Sequence, residues 1–418
     1  MKKFLLKVIY KILARYARNV IDKHKPFVIA ITGSVGKSST KEAISKLMKD
    51  QFGKEVRANY GNLNAHIGIP LTILGYNQVP NVFFWPIFLI LAWFRTQTKS
   101  YPKYLILEMG IDFPGDMDDF LSIVKPNIVV VTTLGGAHLE NFASLAEYQA
   151  EKLKLIESLD ETGRAIVNID DPDLAKLKGK NIIGISLSKM DADYRTESCR
   201  VSLSGTEYRL VTTGQKISIK SKVLGKHFIY GQLFAFAIAN YFKINFLKTK
   251  KSLEEIQPYH GRMNVLPGKM GITIIDDTYN ANPSSVKAAL DTLNEIEYSG
   301  RKIAILGNMN ELGKIEKEAH IDVAKYAEDK FDLVVFVGRN SEIMYDHATN
   351  QEKTRKFSSR QELLLSIEEL VDDHDLILVK ASQNGNYFEE IVKYLLKDKD
   401  NASSLLVRQS KYWMSKKK

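Results

Sequence analysis

The chain has 418 residues, of which 44% are hydrophobic and 26% charged, a length that suits two or three domains and a balance that excludes a disordered or fibrous protein. The 59 Lys and Arg exceed the 49 Asp and Glu and give a formal net charge of +10, which suits an anionic ligand, a nucleic acid or an anionic membrane surface. The single cysteine, Cys199, excludes a disulfide framework and a cysteine-based zinc site, and it favours a reducing cytoplasm.

The first 25 residues carry apolar side chains at helical spacing, with basic residues largely between them. This pattern predicts a basic amphipathic helix over residues 1–25 that could lie on an anionic bilayer. A signal peptide is not indicated, because the segment has no continuous apolar core and no small-residue cleavage site. The alternative is that the helix simply packs against the following domain.

A second apolar segment, VFFWPIFLILAWF, covers Val82–Phe94. It is shorter than the roughly 20 residues that a membrane-spanning helix needs, and Pro86 is expected to interrupt it. Peripheral membrane contact and packing against the domain both remain open for this segment, whereas a transmembrane span is disfavoured.

Strand and helix patterns alternate along the first half of the chain. Phe27–Thr32 reads as a buried strand and Lys37–Lys49 as a helix, and the strands Tyr104–Glu108 and Ile128–Thr132 precede a helix over Leu145–Leu159. This order predicts a doubly wound, mainly parallel sheet.

The pattern changes after Asp170 to alternating, antiparallel-looking runs around residues 200–222, and a second α/β series begins near Gly261. The strands predicted in that series are Ile303–Leu306, Leu333–Val337 and Leu376–Val379. The expected fold class is therefore α/β, with a P-loop doubly wound central ATPase domain followed by a Rossmann-like C-terminal domain. The predicted boundaries are 1–25 for the helix, 26–258 for the central domain with the apolar insertion 82–94, and 259–418 for the C-terminal domain.

A glycine-containing loop lies between the first predicted strand and helix. Its residues are Thr32, Gly33, Ser34, Val35, Gly36, Lys37, Ser38 and Ser39. Gly33 and Gly36 let backbone N–H groups turn inward around a phosphate, Lys37 would reach the β- and γ-phosphates, and Ser38 would bind Mg²⁺. The full phosphate-loop pattern has glycine where this chain has Ile31, so a plain glycine-bearing turn is the alternative, but the strand–loop–helix context favours a phosphate site.

Acidic and imidazole side chains follow two of the predicted strands. Glu108 ends one strand, and His138 and Glu140 follow the next through a Gly135-Gly136 turn. The carboxyl ends of parallel strands are where doubly wound sheets bind ligands, so a role in Mg²⁺ binding is the economical interpretation. Taken singly, each of these residues is equally compatible with an ordinary surface position.

Eight motifs occur in a fixed order along the chain: GSVGKSS, NYGNLNAHIGIPLTIL, LEMGIDFPGDM, GGAHLENFASLAEYQAEKLKLIESL, VNIDD, GRMN, IDDTYNANPSSVKAAL and ILGNMNELG. Together they resemble the Mur ligases, and most of all the branch that adds D-alanyl-D-alanine to UDP-N-acetylmuramoyl-tripeptide. The resemblance runs from about Phe27 to Glu390. It implies an ATP-dependent acid–D-amino-acid ligase of peptidoglycan precursor synthesis, which activates a carboxylate as an acyl phosphate that an amine then displaces.

The resemblance also implies roles for particular residues. The loop from Thr32 to Ser39, together with Arg262 and Asp277, would bind ATP. Mg²⁺, with two ions expected, would be held by Ser38, Glu108, His138 and Lys152, the last matching a lysine that is carbamylated in many relatives. The catalytic residues would be Lys37, His138, Lys152 and Arg262, with Arg262 meeting the γ-phosphate. The substrate contacts would be Asn59, Asn62, Asn64, Tyr279, Asn280 and Asn282.

Three departures from the family pattern alter these expectations. The loop begins after only about 30 residues, so the family's separate UDP-binding domain is expected to be absent or reduced to the N-terminal helix. The insertion 82–94 beside a basic helix suggests an acceptor that is presented at a membrane through a lipid link. In Gly225-Lys226-His227-Phe228 a phenylalanine replaces the asparagine that reads adenine, which leaves Phe228 or Gln232 as substitutes.

Other interpretations are weighed against this one. A relative that amidates lipid-linked peptidoglycan typically carries a four-cysteine zinc insertion, and folate polyglutamate ligases lack the YNANPSS motif. A membrane-attached scaffold without activity is disfavoured by the intact site residues, and a nucleic-acid binder by the absence of a recognition motif. The expected protein is a monomer that acts in the cytoplasm, at the inner face of the membrane if the helix binds lipid, on a UDP- or lipid-linked muramoyl peptide and D-alanyl-D-alanine.

Overall fold

The structure is a computed structural model that describes residues 2–61, 63–135, 141–212, 214–383 and 385–417. The chain forms two compact units. The first unit comprises Met1–Ser198, Arg209–Ile219 and Phe228–Glu255, and the second comprises Cys199–Tyr208, Lys220–His227 and Ile256–Lys418. The domain boundaries predicted from the sequence remain predictions.

A nine-stranded sheet lies mainly in the first unit, in the order β2-β3-β1-β4-β5-β6-β7-β8-β9, and parts of β7, β8 and β9 belong to the second unit. Its strands are β1 Phe27–Thr32, β2 Val56–Ala58, β3 Tyr104–Glu108, β4 Ile128–Val131, β5 Arg164–Asn168, β6 Ile182–Ser186, β7 Tyr194–Ser202, β8 Gly205–Thr212 and β9 Gln215–Ser221. All neighbours from β2 to β7 pair in parallel. The predicted α/β fold class is therefore confirmed for this unit.

The register of the central strands determines which residues meet at one sheet edge. β1 lies between β3 and β4, with Ile31 beside both Glu108 and Val130. These strands are nearly continuous apolar runs because both faces of a parallel sheet are covered. The glycine loop that follows β1 and the carboxylate that ends β3 consequently emerge side by side.

Eight helices of the described residues accompany this sheet. They are α1 Lys2–His24, α2 Lys37–Phe52, α3 Gly68–Leu74, α4 Trp85–Thr96, α5 Asp116–Leu121, α6 Leu145–Glu157, α7 Lys226–Tyr241 and α8 Phe246–Glu254. The predicted N-terminal helix is present as α1, and the predicted helices after β1 and β4 correspond to α2 and α6.

The expectation that Pro86 interrupts the apolar segment 82–94 is wrong. This proline does not interrupt a helix, because it lies in the first turn of α4. A proline is tolerated there since its missing N–H would have had no partner within the helix. Within the described residues, no helix has the length and apolar character needed to cross a membrane.

The second unit contains a six-stranded sheet in the order β10-β11-β15-β12-β13-β14. Its strands are β10 Asn264–Pro267, β11 Thr273–Asp277, β12 Lys302–Gly307, β13 Leu333–Val337, β14 Thr354–Phe357 and β15 Leu376–Lys380, and its helices are α9 Pro283–Glu295, α10 Glu316–Glu328, α11 Ser341–Asp346, α12 Arg360–Leu370, α13 Glu389–Leu395, α14 Ala402–Leu405 and α15 Lys411–Lys416. Only β10 pairs in the antiparallel direction, so the Rossmann-like character predicted from the sequence is confirmed.

Candidate active site

The glycine loop between β1 and α2 has the backbone shape that a phosphate cradle requires. Gly33 has φ 142° and Gly36 has φ 86°, conformations that other residues rarely adopt. A Cβ atom at Gly33 would lie 2.0 Å from Thr132 Oγ1, so glycine is also required sterically. The loop is fixed from β4, because the Ser34 N–H donates to the Thr133 carbonyl at 2.9 Å and the Val35 N–H to Thr133 Oγ1 at 3.1 Å.

Lys37, the first residue of α2, folds back over this loop. Its Nζ donates to the carbonyl oxygens of Gly33 at 2.7 Å and Ser34 at 3.1 Å. The side chain is half-buried, so the ammonium group is held at the loop and is still reachable by a ligand. A cation placed in this way is suited to neutralising phosphate charge.

Glu108, at the end of β3, is the carboxylate that the register brings to the loop. Its side chain is 1% exposed, and Oε1 accepts hydrogen bonds from Ser38 Oγ and Asn64 Nδ2, both at 3.0 Å. Oε2 accepts no hydrogen bond and lies 3.5 Å from the buried ammonium group of Lys41. A buried carboxylate oxygen without a hydrogen bond, beside a serine hydroxyl, fits a hard cation such as Mg²⁺ that prefers oxygen ligands.

Lys152 approaches the same loop from α6. Its Nζ donates to the Gly33 carbonyl at 3.1 Å and lies 4.3 Å from the centre of the Tyr148 ring. The residue is 1% exposed. Burial, and secondarily the charge of Lys37, hold the pKa of Lys152 well below its ordinary value. Burial therefore favours the uncharged amine more strongly at Lys152 than at an ordinary exposed lysine.

The asparagines predicted to contact substrate differ in what their side chains already do. Asn59 is buried, its Oδ1 accepts the Glu108 N–H at 2.5 Å, and its Nδ2 donates to the Leu63 carbonyl at 2.5 Å. Asn64 donates to the Glu108 side chain. Both residues therefore position the carboxylate in this structure, and their contact with substrate stays a prediction.

Two of the predicted site residues, Asn62 and His138, lie outside the described residues. In the part of the chain that the structure describes, no group of three or more His, Cys, Asp or Glu side chains is arranged to hold a metal ion. The magnesium ligands predicted from the sequence are one carboxylate, one hydroxyl, one lysine and His138, so this finding leaves their role untested.

Arg262 belongs to the second unit, where its guanidinium Cζ lies 4.2 Å from the centre of the Tyr279 ring. The turn that carries it is fixed by the Tyr279 N–H, which donates to the Gly261 carbonyl at 2.9 Å. Stacking on a ring orients a guanidinium group without neutralising its charge. Arg262 and Tyr279, both predicted site residues, are therefore in contact through this stacking.

Asp277, at the end of β11, forms a buried ion pair with Lys380 at the end of β15. Lys380 Nζ lies 2.5 Å from Asp277 Oδ2, and it also donates to the Asn280 carbonyl at 3.0 Å. His227 is close to this pair, and burial lowers its pKa to about 4, so its imidazole is uncharged at neutral pH. Lys380 was not among the site residues predicted from the sequence.

Asn280 and Asn282 begin the segment that leads into α9. Asn282 is the N-cap of α9, and its side chain accepts the Ser285 N–H at 2.9 Å. Asn280 Oδ1 accepts the Gln383 N–H at 3.3 Å. The segment is therefore held by these hydrogen bonds.

Phe228 and Gln232, the two residues proposed to contact adenine, are buried in α7.

Removing the Lys380 ammonium group is expected to destabilise the second unit. The Lys380→Met change leaves the buried Asp277 carboxylate without its cation, and we expect a loss of about 3–5 kcal/mol in the free energy of unfolding, measured by urea denaturation. The matched control is Lys216→Met, whose exposed ion pair with Glu197 should cost about 0–1 kcal/mol. Equal losses in the two variants would show that the buried pair contributes no more than the exposed one.

The comparisons with known proteins agree with the motif analysis. Residues 31–239 match the family model of the Mur ligase middle domain, and residues 261–383 match that of the Mur ligase glutamate ligase domain. The UDP-N-acetylmuramoyl-tripeptide–D-alanyl-D-alanine ligase of Bacillus subtilis is 29% identical over 388 residues, covering 92% of this chain and 79% of that protein. The ligase of the same name from Buchnera aphidicola is 30% identical over 393 residues, with coverages of 92% and 79%.

Solved structures give the same architecture. The chain is similar to MurF ligase from Thermotoga maritima in complex with ADP, with a TM-score of 0.78, 24% identity and coverage of 94% of this chain and 84% of that one. It is also similar to MurF from Acinetobacter baumannii, with a TM-score of 0.79, 24% identity and coverages of 92% and 80%. At 24% identity, the similarity to these two structures supports the fold and nothing further.

Proposed function

We propose that this chain, which belongs to the Mur ligase family, is an ATP-dependent peptide ligase that joins D-alanyl-D-alanine to UDP-N-acetylmuramoyl-tripeptide in peptidoglycan precursor synthesis. The names of its relatives support the reaction. The observation that carries the proposal is that Lys37 and Lys152 both donate to the Gly33 carbonyl, while Ser38, the residue after Lys37, donates to the buried Glu108.

The proposed reaction has two steps. A carboxylate oxygen of the tripeptide attacks the γ-phosphorus of ATP, the bond to the β-phosphate oxygen breaks, and ADP leaves. The amine of D-alanyl-D-alanine then attacks the acyl carbon, the bond to the phosphate oxygen breaks, and inorganic phosphate leaves while the amine loses a proton. No protein nucleophile is needed, so the site must position the reactants and neutralise phosphate charge.

The cationic side chains supply this neutralisation. Lys37 is held over the phosphate loop, and Arg262 provides a second, permanent positive charge that its stacking on Tyr279 leaves available. Ser38 and Glu108 would hold Mg²⁺ together with His138, and the ion would supply Lewis-acid charge at phosphate oxygens. A carbamate on Lys152 would add an anionic oxygen ligand in place of an amine.

The remaining assignments concern the ligands. Asp277 is proposed to bind the ribose, although one of its carboxylate oxygens is already paired with Lys380. Asn64, Tyr279 and Asn280 are proposed to contact the peptide substrate, because Asn64 donates to Glu108, the Tyr279 ring stacks on Arg262, and Asn280 follows Tyr279 in the chain. ATP and the UDP-linked acceptor place the proposed reaction in the cytoplasm.

A second candidate differs only in the acceptor. A lipid-linked muramoyl peptide is favoured by one specific observation, the exposed apolar side chains of α4, which would suit work at a membrane surface. Both candidates use the same ATP site, so the acceptor distinguishes them.

The test is phosphate release by the full chain with ATP, Mg²⁺, UDP-linked muramoyl-tripeptide and D-alanyl-D-alanine. We expect release that requires both substrates, with the pentapeptide product seen by mass spectrometry. Release only with a lipid-linked acceptor would favour the second candidate. ATP binding without turnover on either acceptor would contradict the ligase and favour a scaffold.

A further inference from the structure

The helix α4 is apolar on both of its sides. Its inner side places Trp85 and Ala92 in the hydrophobic core of the first unit. Its outer side and the turn before it expose seven large apolar side chains, with exposed fractions between 46% and 85%. These residues, which we call the α4 patch, are Phe83, Phe84, Ile87, Ile90, Leu91, Trp93 and Phe94.

A patch of this kind is unusual for a helix on a protein surface. Surface helices ordinarily present polar side chains on the side away from the core, and contiguous exposed apolar surface marks an interaction site. Between Trp85 and Phe94 the sequence contains no charged residue. The outer side of α4 therefore has the composition of a buried surface while lying at the solvent.

The neighbouring helix α1 supplies positive charge. Its inner side buries Ile9, Leu13, Ala17 and Val20 in the same core as α4. Its outer side exposes four cations, which we call the α1 stripe: Lys7, Lys11, Arg15 and Arg18. They fall at i, i+4, i+8 and i+11, on one side of a helix.

The patch and the stripe are held next to each other. α1 and α4 pack together, and Lys23 Nζ, near the end of α1, donates to the carbonyl oxygens of Thr96 at 3.3 Å and Thr98 at 2.8 Å, at and beyond the end of α4. Because both helices bury their inner sides in one core, their outer sides face solvent side by side. The combined surface joins aromatic and aliphatic side chains to a row of cations.

We propose that the α4 patch and the α1 stripe form a docking surface for an anionic phospholipid bilayer. Aromatic and aliphatic side chains enter the headgroup and upper acyl region, while Lys and Arg meet the lipid phosphates. A second copy of the chain that docks through the same surface fits less well, because neither the α4 patch nor the α1 stripe contains an acidic side chain to pair with the cations. The proposal goes beyond the ligase reaction and does not depend on it.

The test is binding of the full chain to sedimented vesicles, without nucleotide or acceptor. We expect binding to vesicles of phosphatidylcholine with phosphatidylglycerol, and binding about tenfold or more weaker to phosphatidylcholine alone. Ile87→Ser, Ile90→Ser and Phe94→Ser together should weaken binding by at least about tenfold, because these exposed side chains provide the apolar contact. Since they lie outside the core, the fold should be retained.

Matched control variants distinguish binding through this surface from non-specific adsorption of the protein to vesicles. Met190→Ser, Leu247→Ser and Leu365→Ser together remove exposed apolar side chains elsewhere, and they should leave vesicle binding unchanged. Lys7→Gln, Lys11→Gln and Arg15→Gln together should remove the preference for anionic lipid, whereas Lys176→Gln, Lys251→Gln and Lys353→Gln should not.

A spectroscopic readout locates the contact. Trp93 is 46% exposed and Trp85 is buried, so in a Trp85→Phe, Trp413→Phe background the emission of Trp93 should shift to the blue on adding anionic vesicles. Three results would overturn the proposal: no vesicle binding, equal binding to neutral and anionic vesicles, or a dimer in light scattering that the triple α4 substitution dissociates.

Discussion

Replacing Lys37 by alanine is expected to lower kcat for phosphate release by about 10²–10³-fold, the loss typical of removing one preorganised group that stabilises developing charge. The Lys37 ammonium group is held by hydrogen bonds to the carbonyl oxygens of Gly33 and Ser34. The charge is therefore placed in advance, and alanine leaves the loop without it. The measurement is steady-state phosphate release at saturating ATP, with circular dichroism to verify the fold.

The matched control for this prediction is Lys46→Ala on the same helix. The Lys46 ammonium group forms exposed ion pairs with Asp50 and with Glu255 at 3.3 Å, and it lies nine residues further along α2 than Lys37. We expect its kcat to stay within about twofold of the unmodified enzyme, because exposed pairs contribute little. A Lys37→Ala enzyme that retained full turnover would show that this loop does not bind the transferring phosphate.

The strands and the glycine loop were predictable because their signals are local. The run Phe27–Thr32 is short, rich in β-branched residues and bounded by Pro26 and Gly33, which favours a buried strand, and its six residues match β1 at both ends. The loop geometry follows from two glycines at required positive φ. Alternation of such strands with helices then determines the doubly wound sheet, since parallel neighbours need helical crossovers.

The partners of the site residues were not predictable, because they are far apart in sequence. Lys41 and Lys380 are buried beside Glu108 and Asp277, at separations of 67 and 103 residues. A lysine in a helix or at a strand end ordinarily reads as a solvated residue, and only the sheet register brings each to its carboxylate. For Lys41 the available signal was spacing, since it lies one helical turn after Lys37.

Residue type alone did not show whether an asparagine binds substrate or stabilises the local backbone. Asn59 holds the backbone around Glu108, and Asn282 caps α9. Asparagine serves caps and turns as readily as substrates, because its short amide reaches its own backbone. The structure therefore gives each of these residues a role that the motif alone does not distinguish from ligand binding.

Lys152 and Lys154 provide a contrast within one helix. Lys152 is buried against the Gly33 carbonyl and the Tyr148 ring, and burial holds its pKa well below the ordinary value. Lys154 is partly exposed, and hydrogen bonds to Asp118 and Glu151 raise its pKa. Because only an uncharged amine attacks CO₂, two lysines two positions apart should differ sharply in carbamylation.

We expect a carbamate on Lys152 and none on Lys154. In ¹³C-labelled bicarbonate, a carbamate NMR signal should appear in the unmodified protein and in Lys154→Met, and it should be absent in Lys152→Met. The signal should weaken as pH falls through the lowered pKa of Lys152, since protonation removes the nucleophilic lone pair. Turnover of Lys152→Ala should fall by about 10²-fold or more and recover partly with a short carboxylic acid, which replaces the missing anionic oxygen. A signal retained in Lys152→Met would place the carbamate on another lysine, and full turnover of Lys152→Ala would remove this residue from the catalytic site.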